Sequence, residues 1–318
     1  MKERATQSIG KTLEVTEWGI GTAALGLLYQ PVDTDQAIQA VHRAYQDGVR
    51  YFDTAPLYGE GVAETRLGLA LATLPRSEVV ISTKVGYTLV PGGGVTHDYS
   101  ASAIERSLEA SLRRLNTDRV DIVYLHDPDA HYREAMDEAY PVLQRWRAAG
   151  TIGAIGVGMN QSAMLTQCAQ EGDFDGFLLA GRYTLLDQTA ARDLLPVALR
   201  KGIRLVVGGV FNSGILTDPW APEPMFNYAP APADWVARAR AIARLCADFQ
   251  VPLKAAALQF ALAHPAVASV LTGVRSAEEV DENAAMWEVS IPPSFWSAMQ
   301  AAGYLAPDLP VPGASAHG

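Results

Sequence analysis

The sequence predicts an α/β fold, a (β/α)8 TIM barrel, and three observations lead there. Short apolar or β-branched runs alternate with amphipathic helical stretches about eight times along the 318 residues. The run "RVDIVYLHD" is continuous and mostly apolar, as a parallel strand covered on both faces requires. No linker divides the chain, so residues 1–305 read as one domain, with 306–318 as a flexible tail.

The elements follow in order. Strands are expected at 18–24, 49–54, 78–84, 120–126, 152–158, 176–180, 203–208 and 269–272. Helices are expected between them, near 33–47, 61–73, 100–115, 133–149, 161–170, 189–201, 239–263 and 276–286. "IERSLEASLRRL" shows the pattern: Ile104, Leu108, Leu112 and Leu115 recur at helical spacing, with charges between them. The segment "LTDPWAPEPMFNYAPAPADW" has no period and is long enough to be functional. The rival fold is a doubly wound sheet. "GIGTAA" at 19–24 matches the loose G-x-G-x-x-A fingerprint, which needs a helix to open at once. Here "LGLLYQPV" intervenes before a helix near Asp33, so Gly19 and Gly21 read as tight packing at a strand end.

Bulk properties exclude several functions. The net charge of −10 argues against binding nucleic acid or an anionic membrane surface. Cys168 and Cys246 both fall in helical patterns, so neither a disulfide framework nor a zinc site is expected. "MKERATQSIG" lacks an apolar targeting segment, and no apolar run approaches membrane length. A soluble cytoplasmic protein acting on a small molecule is expected. Its oligomeric state is hidden in the sequence.

Barrel chemistry sits where strands end. The second strand ends in Asp53, with Tyr58 just beyond it in "YFDTAPLYGEG"; the third ends in Lys84 and the fourth in His126. A phenol is a poor acid or base at neutral pH, and a neighbouring ammonium lowers its pKa. Asp53 would hold Lys84 charged, and His126 would donate to a substrate oxygen. Proton transfer to an oxygen on a carbon that exchanges hydride implies a nicotinamide cofactor. Singly, each residue reads as an ion pair, a turn or a lid aromatic; jointly, on successive strand ends, they read as a site. "HDPDAH" at 126–131 invites a metal reading, but Pro128 places the run in a loop, and no metal site is expected.

These residues resemble the aldo-keto reductase family over nearly the whole chain. "FDTAPLYGEG", "ISTKVG" and "VDIVYLHDPD" match its signatures, and the resemblance implies a catalytic tetrad of Asp53, Tyr58, Lys84 and His126. "LHDPDAH" and "AGRYTLLDQ" are similar to the branch of aldose 1-dehydrogenases acting on L-fucose, D-arabinose or L-galactose, which includes relatives acting on pyridoxal. The resemblance implies oxidation of the anomeric C1–OH of a neutral aldose to a lactone. A pyridoxal-like hemiacetal is the alternative substrate. A cofactor-sensing regulatory subunit, as in potassium-channel β subunits, is the alternative from another class.

The same resemblance implies cofactor contacts at Gly21, Thr22, Asp53, Asn160, Gly208, Gly209, Val210, Asn212, Gly214, Gly273, Arg275, Glu279 and Asn283. It implies substrate contacts at Trp18, Tyr58, His126 and Asp127. Met159, Ala180 and Gly208 depart from the serine, glutamine and tyrosine common at those places. Glu279 stands where users of NADP commonly carry arginine, so NAD is expected to be preferred over NADP. Glu282 reads as solvated.

Overall fold

A computed structural model describes residues 3–26, 30–90 and 92–313. Eight parallel strands close into a barrel: β3 (Trp18–Gly21), β4 (Tyr51–Asp53), β5 (Val80–Val85), β8 (Ile122–His126), β9 (Ala154–Met159), β10 (Gly176–Ala180), β11 (Arg204–Gly208) and β14 (Val267–Gly273). Closure is made by β14 pairing with β3, with Val270 opposite Trp18 and Gly273 opposite Gly21. The barrel is that expected from the alternation, and each expected strand is present within a few residues.

Three antiparallel hairpins decorate it. Strands β1 (Thr6–Ile9) and β2 (Leu13–Thr16) pair ahead of the barrel. Ile9 and Val15 cluster with Tyr51, Ile122, Ala154 and Val206 from the barrel interior, so this hairpin closes the N-terminal mouth with apolar side chains. Strands β6 (Tyr87–Leu89) and β7 (Val95–His97) rise beyond β5. Strands β12 (Met225–Phe226) and β13 (Ala229–Pro230) give structure to the long Pro-rich segment.

Side chains alternate along each strand with period two. Phe52, Ile81, Val123, Val157, Leu179 and Val207 face outward and are buried under the helices. Each such burial stabilises by about 1.5–3 kcal/mol. Tyr51, Tyr124, Leu178, Val206 and Leu271 face inward and fill the barrel. Two inward glycines make room for the inward tyrosines. A Cβ on Gly156 would sit 2.0 Å from the Gly176 carbonyl and 2.7 Å from the Tyr124 ring. On Gly19 it would meet Leu271 at 2.7 Å and Tyr51 at 2.9 Å. Gly19 is therefore a packing glycine. Gly21, where the nearest atom would lie 3.8 Å away, is not.

After "GIGTAA" the chain makes a short 3-10 turn, Ala23–Gly26, and the first α-helix opens only at Thr34, capped by the Asp33 side chain. The fingerprint of a doubly wound fold is thus not realised. The single helix expected over 239–263 is two, Ala233–Asp248 and Leu253–Phe260. Gln250 takes a positive φ of 56° and Pro252 lacks a backbone N–H, so the helical ladder cannot run through. Similarly, a π-turn over Ala135–Ala139 precedes Pro141 within the helix expected at 133–149. A final helix, Pro293–Ala301, lies beyond the last one expected. In the tail, Gln300 donates to the carbonyls of Ala306, Pro307 and Leu309, while 314–318 lie outside the described residues. Among the described residues no helix is long and apolar enough to cross a membrane.

Gly156→Ala should destabilise the fold by about 2 kcal/mol or more, through overpacking against backbone that cannot move aside. Gly208→Ala, whose nearest neighbour would be Leu178 at 3.7 Å, should stay within about 0.5 kcal/mol of the parent. Urea unfolding of both variants checks this, and equal effects would contradict the packing described.

Candidate active site

Period two also decides what the C-terminal rim offers. The last inward residues of β4, β5 and β8 are Asp53, Lys84 and His126; those of β9, β10 and β11 are Gly158, Ala180 and Gly208. One half of the rim therefore carries polar groups, and the other half carries almost no side chain. Tyr58 stands above the polar half, in the turn between β4 and the helix Val62–Leu71.

Lys84 is 1% exposed, and its Nζ donates to Asp53 Oδ2 at 2.7 Å and to the Thr54 carbonyl at 2.8 Å. The other carboxylate oxygen, Asp53 Oδ1, accepts from Ser82 Oγ at 2.6 Å. Ser82 in turn meets Tyr51 Oη at 3.1 Å, and Tyr51 meets Tyr124 Oη at 3.3 Å. Each of these three supports sits two residues before a rim residue on its own strand, so the same pleat that aims the rim inward aims its supports. The Lys84 ammonium lies 4.6 Å from the centroid of the Tyr58 ring. The His126 ring meets Tyr58 edge-on at 5.9 Å between centroids, with the planes at 89°. Tyr99 donates to the His126 carbonyl, and Tyr87 packs edge-on against its ring at 5.0 Å.

Burial sets the protonation states. It pushes the Tyr58 phenol well above its ordinary value, and the charges of Asp53 and Asp127 push the same way. This corrects the sequence expectation of a phenol lowered by Lys84. Asp53 sits 2.7 Å from the ammonium, and its own negative charge is among the causes that raise the phenol. Burial, and then Lys84 and His97, hold the His126 imidazole well below its ordinary value, so it is neutral. Burial lifts the Asp53 carboxyl, and the Lys84 ammonium and Ser82 hydroxyl pull it partly back. Asp127, next to His126 and with a positive φ of 46°, is raised to about 6 by burial and by Asp129.

Two cavities of about 630 and 440 Å³ open on this rim, each in the usual range for small-molecule sites. Tyr58 and Asn160 line both. Lys84, His126 and Asp127 line the smaller one. The larger one runs past Gly21, Asp53, Gly208, Gly209 and Val210, then Asn212 and Gly214, to Gly273, Arg275, Glu279 and Asn283. All these expected contacts line this one cavity. Thr22 does not line it; its buried hydroxyl has no hydrogen-bond partner among the described residues, nor does Asn283 Oδ1. Trp18 is a correction. It begins β3, at the opposite end of the barrel from the rim, and packs against Trp287 and under Arg4, with Nε1 donating to Thr272 at 2.8 Å. The run "HDPDAH" is dispersed: Asp129 accepts from Gln161, and His131 faces Glu134 at 3.4 Å.

Charges in the larger cavity are already paired. Arg275 donates from Nε and Nη2 to Glu279 Oε1 at 2.9 and 2.5 Å, and its backbone N–H donates to Oε2 at 2.8 Å. Lys254 lies 3.1 Å from Glu282. Lys254, Ser213 and Tyr228 line this cavity and were missed in the sequence; a lysine one residue into a helix and polar residues in an aperiodic loop carry no positional signal. Glu282, read as solvated, lines the same cavity with its side chain 65% exposed.

Residues 17–303 match the family model described as Aldo/keto reductase family. The chain is 39% identical to a pyridoxal 4-dehydrogenase from Microbacterium luteolum, covering 96% of this chain and 99% of the relative. It is 36% identical to a D-threo-aldose 1-dehydrogenase from a Pseudomonas species, covering 90% and 94%. An aldo-keto reductase structure from Bacillus halodurans superposes with a TM-score of 0.79 at 24% identity, covering 94% and 96%, which supports the same fold.

Removing Lys84 should strand the Asp53 carboxylate in the barrel. Lys84→Met should cost about 3–5 kcal/mol at pH 8, as for breaking one side of a buried pair. Asp53 already has a raised pKa, and without its partner the folded state binds a proton that the unfolded state releases. Stability of the variant should therefore recover toward the parent as the pH falls from 8 to 5. Thermal unfolding across that range is the check, and a deficit independent of pH would mean the carboxylate is not stranded.

Proposed function

The chain belongs to the aldo/keto reductase family of oxidoreductases, and from that premise we propose that it oxidises a cyclic hemiacetal carbon to a lactone with a nicotinamide cofactor. The observation that carries this reading is the Asp53–Lys84 pair beneath the Tyr58 ring, at the junction of two cavities. The larger cavity suits a dinucleotide: it has about 630 Å³, Gly208 and Gly209 in its lining carry no side chains, and Asn283 Oδ1, also in its lining, is unsatisfied among the described residues. Bound there, the group supplies the hydride acceptor. Asn160, which lines both cavities, would hold its reactive end, and Arg275, Glu279 and Asn283 would hold its adenosine end.

The remaining work falls to the chain. In the oxidation direction the phenolate form of Tyr58 accepts the proton of the anomeric hydroxyl as hydride leaves C1, and in the reverse direction the protonated phenol, the form its raised pKa favours, returns it. His126, neutral, donates to or accepts from the same substrate oxygen across from Tyr58. Asp53 and Ser82 fix the Lys84 ammonium so that its charge stays beneath the phenol as negative charge develops. Asp127 accepts a substrate hydroxyl bond and, with Asp129, repels anionic substrates. A neutral aldopyranose such as L-fucose or D-arabinose fits this pocket. The pyridoxal 4-dehydrogenase relative favours a second substrate of the same kind, a pyridoxal hemiacetal.

The test is NADH formation followed at 340 nm, crossing NAD⁺ and NADP⁺ with L-fucose, D-arabinose, L-galactose, D-glucose and pyridoxal. Sustained turnover with a sugar or with pyridoxal supports the reading. Tight cofactor binding with no turnover on any of them would point to a sensor instead. For the cofactor, we propose that NAD⁺ is preferred by about tenfold or more in kcat/KM, or about 1.4 kcal/mol. The support is that Arg275 and Lys254 are each held by a carboxylate that a 2′-phosphate would have to displace. Glu279→Gln should free Arg275 and narrow that ratio; a ratio left untouched would place the choice elsewhere.

A further inference from the structure

The two cavities meet at an aromatic ring that the chemistry above does not use. Tyr228 lines both, yet it is 57% exposed. Its backbone is unusual: Asn227 and Tyr228 have φ values of 52° and 62° and form the two-residue turn between β12 and β13. A turn with two left-handed residues favours Asn-Gly. Asparagine suits the first place, but a tyrosine at the second is a bulky side chain in a region that disfavours it. Such a conformation persists where the surroundings over-determine it.

Here they do. The Tyr228 N–H donates to Ser213 Oγ at 3.0 Å, and Arg182 donates to Asn227 Oδ1 at 2.7 Å. Phe226 stacks on Trp235 at 4.5 Å and anchors the base of the hairpin. Ser213 lines the larger cavity and not the smaller, so the tip is tied to the cofactor side. On that side Gly181, Gly208 and Gly209 present no side chains, and a Cβ on Gly208 would find nothing nearer than Leu178 at 3.7 Å. A stretch of glycines thus shares its cavity with a tyrosine whose backbone is held, at the junction that also holds Tyr58.

We infer that Tyr228 packs its ring against the nicotinamide of a bound dinucleotide and holds that ring at the junction of the two cavities. This rests on the nicotinamide reading above. Aromatic rings gain from offset or edge contact, and a cationic ring gains further from a phenol face. Oxidised cofactor should therefore depend on Tyr228 more than reduced cofactor does.

Calorimetric titration of NAD⁺ and NADH, without substrate, tests this on the full chain and on Tyr228→Phe and Tyr228→Asn. Asparagine accepts the left-handed backbone, so the turn should survive, and an unfolding midpoint at or above the parent's confirms it. Tyr228→Gly serves as a second ring-free variant at the same backbone. Tyr228→Phe should bind NAD⁺ within about twofold of the parent, and Tyr228→Asn should bind it about tenfold more weakly, with a smaller loss for NADH. Unchanged cofactor binding with a raised KM for the substrate would assign the ring to the substrate and overturn the inference. Equal losses for Tyr228→Phe and Tyr228→Asn would overturn it too. A parent chain that binds neither form would overturn the dinucleotide reading itself.

Discussion

The buried ion pair of Asp53 and Lys84 is the constraint on which the rest of the site depends. Burying two charges in a barrel costs more than a well-packed apolar pair would, so the pair is weak evidence for a stability device. It is tolerated because both charges are hydrogen-bonded: Lys84 gives two of its three protons to Asp53 and Thr54, and each Asp53 oxygen accepts one bond, from Lys84 or Ser82. Ser82 is reached by Tyr51, and Tyr51 by Tyr124. Those tyrosines fit inside the barrel only because Gly19 and Gly156 lack a Cβ. A chain of requirements thus runs from two glycines to the placement of one ammonium beneath one phenol.

The rim is asymmetric for a reason that belongs to the same pleat. Strands β4, β5 and β8 spend their last inward position on a charged or polar group, while β9, β10 and β11 spend theirs on Gly158, Ala180 and Gly208. The first half carries titratable groups, and the second leaves open space beside them. The electrostatics are closed as well: Asp53 answers Lys84, Glu279 answers Arg275, and Glu282 answers Lys254. Burial, with Asp53 and Asp127 beside it, keeps the Tyr58 proton on at neutral pH.

The barrel and the rim residues were legible because both are written in period two. Asp53, Lys84 and His126 end apolar runs, so their strand and their direction could be read together. Their supports were equally available, since Tyr51, Ser82 and Tyr124 each stand two places earlier on the same strand. What could not be read depends on departures from regular backbone. Gln250 and Pro252 split a helix that the apolar pattern carried straight through. Trp18 was assigned to the substrate although it begins its strand; a strand's direction settles which end of the barrel a residue occupies. Tyr228 and Ser213 sit in left-handed turns of an aperiodic loop, where no spacing announces which side chain faces a cavity. The sense of the Tyr58 shift was missed because its largest cause is burial, which the sequence of a Pro/Gly turn does not announce.

In the proposed reaction, proton transfer at Tyr58 is coupled to hydride transfer at the rim. The most direct measurement is the single-turnover rate of NADH formation with a C1-deuterated sugar and its protiated form, in the parent and in Tyr58→Phe, across pH 6 to 10. The parent should show a primary isotope effect and a rate that rises with pH. Tyr58→Phe should be slower by about 10² or more and should lose that rise, with cofactor affinity unchanged. A Tyr58→Phe rate within about twofold of the parent, still rising with pH and still showing the isotope effect, would contradict that coupling.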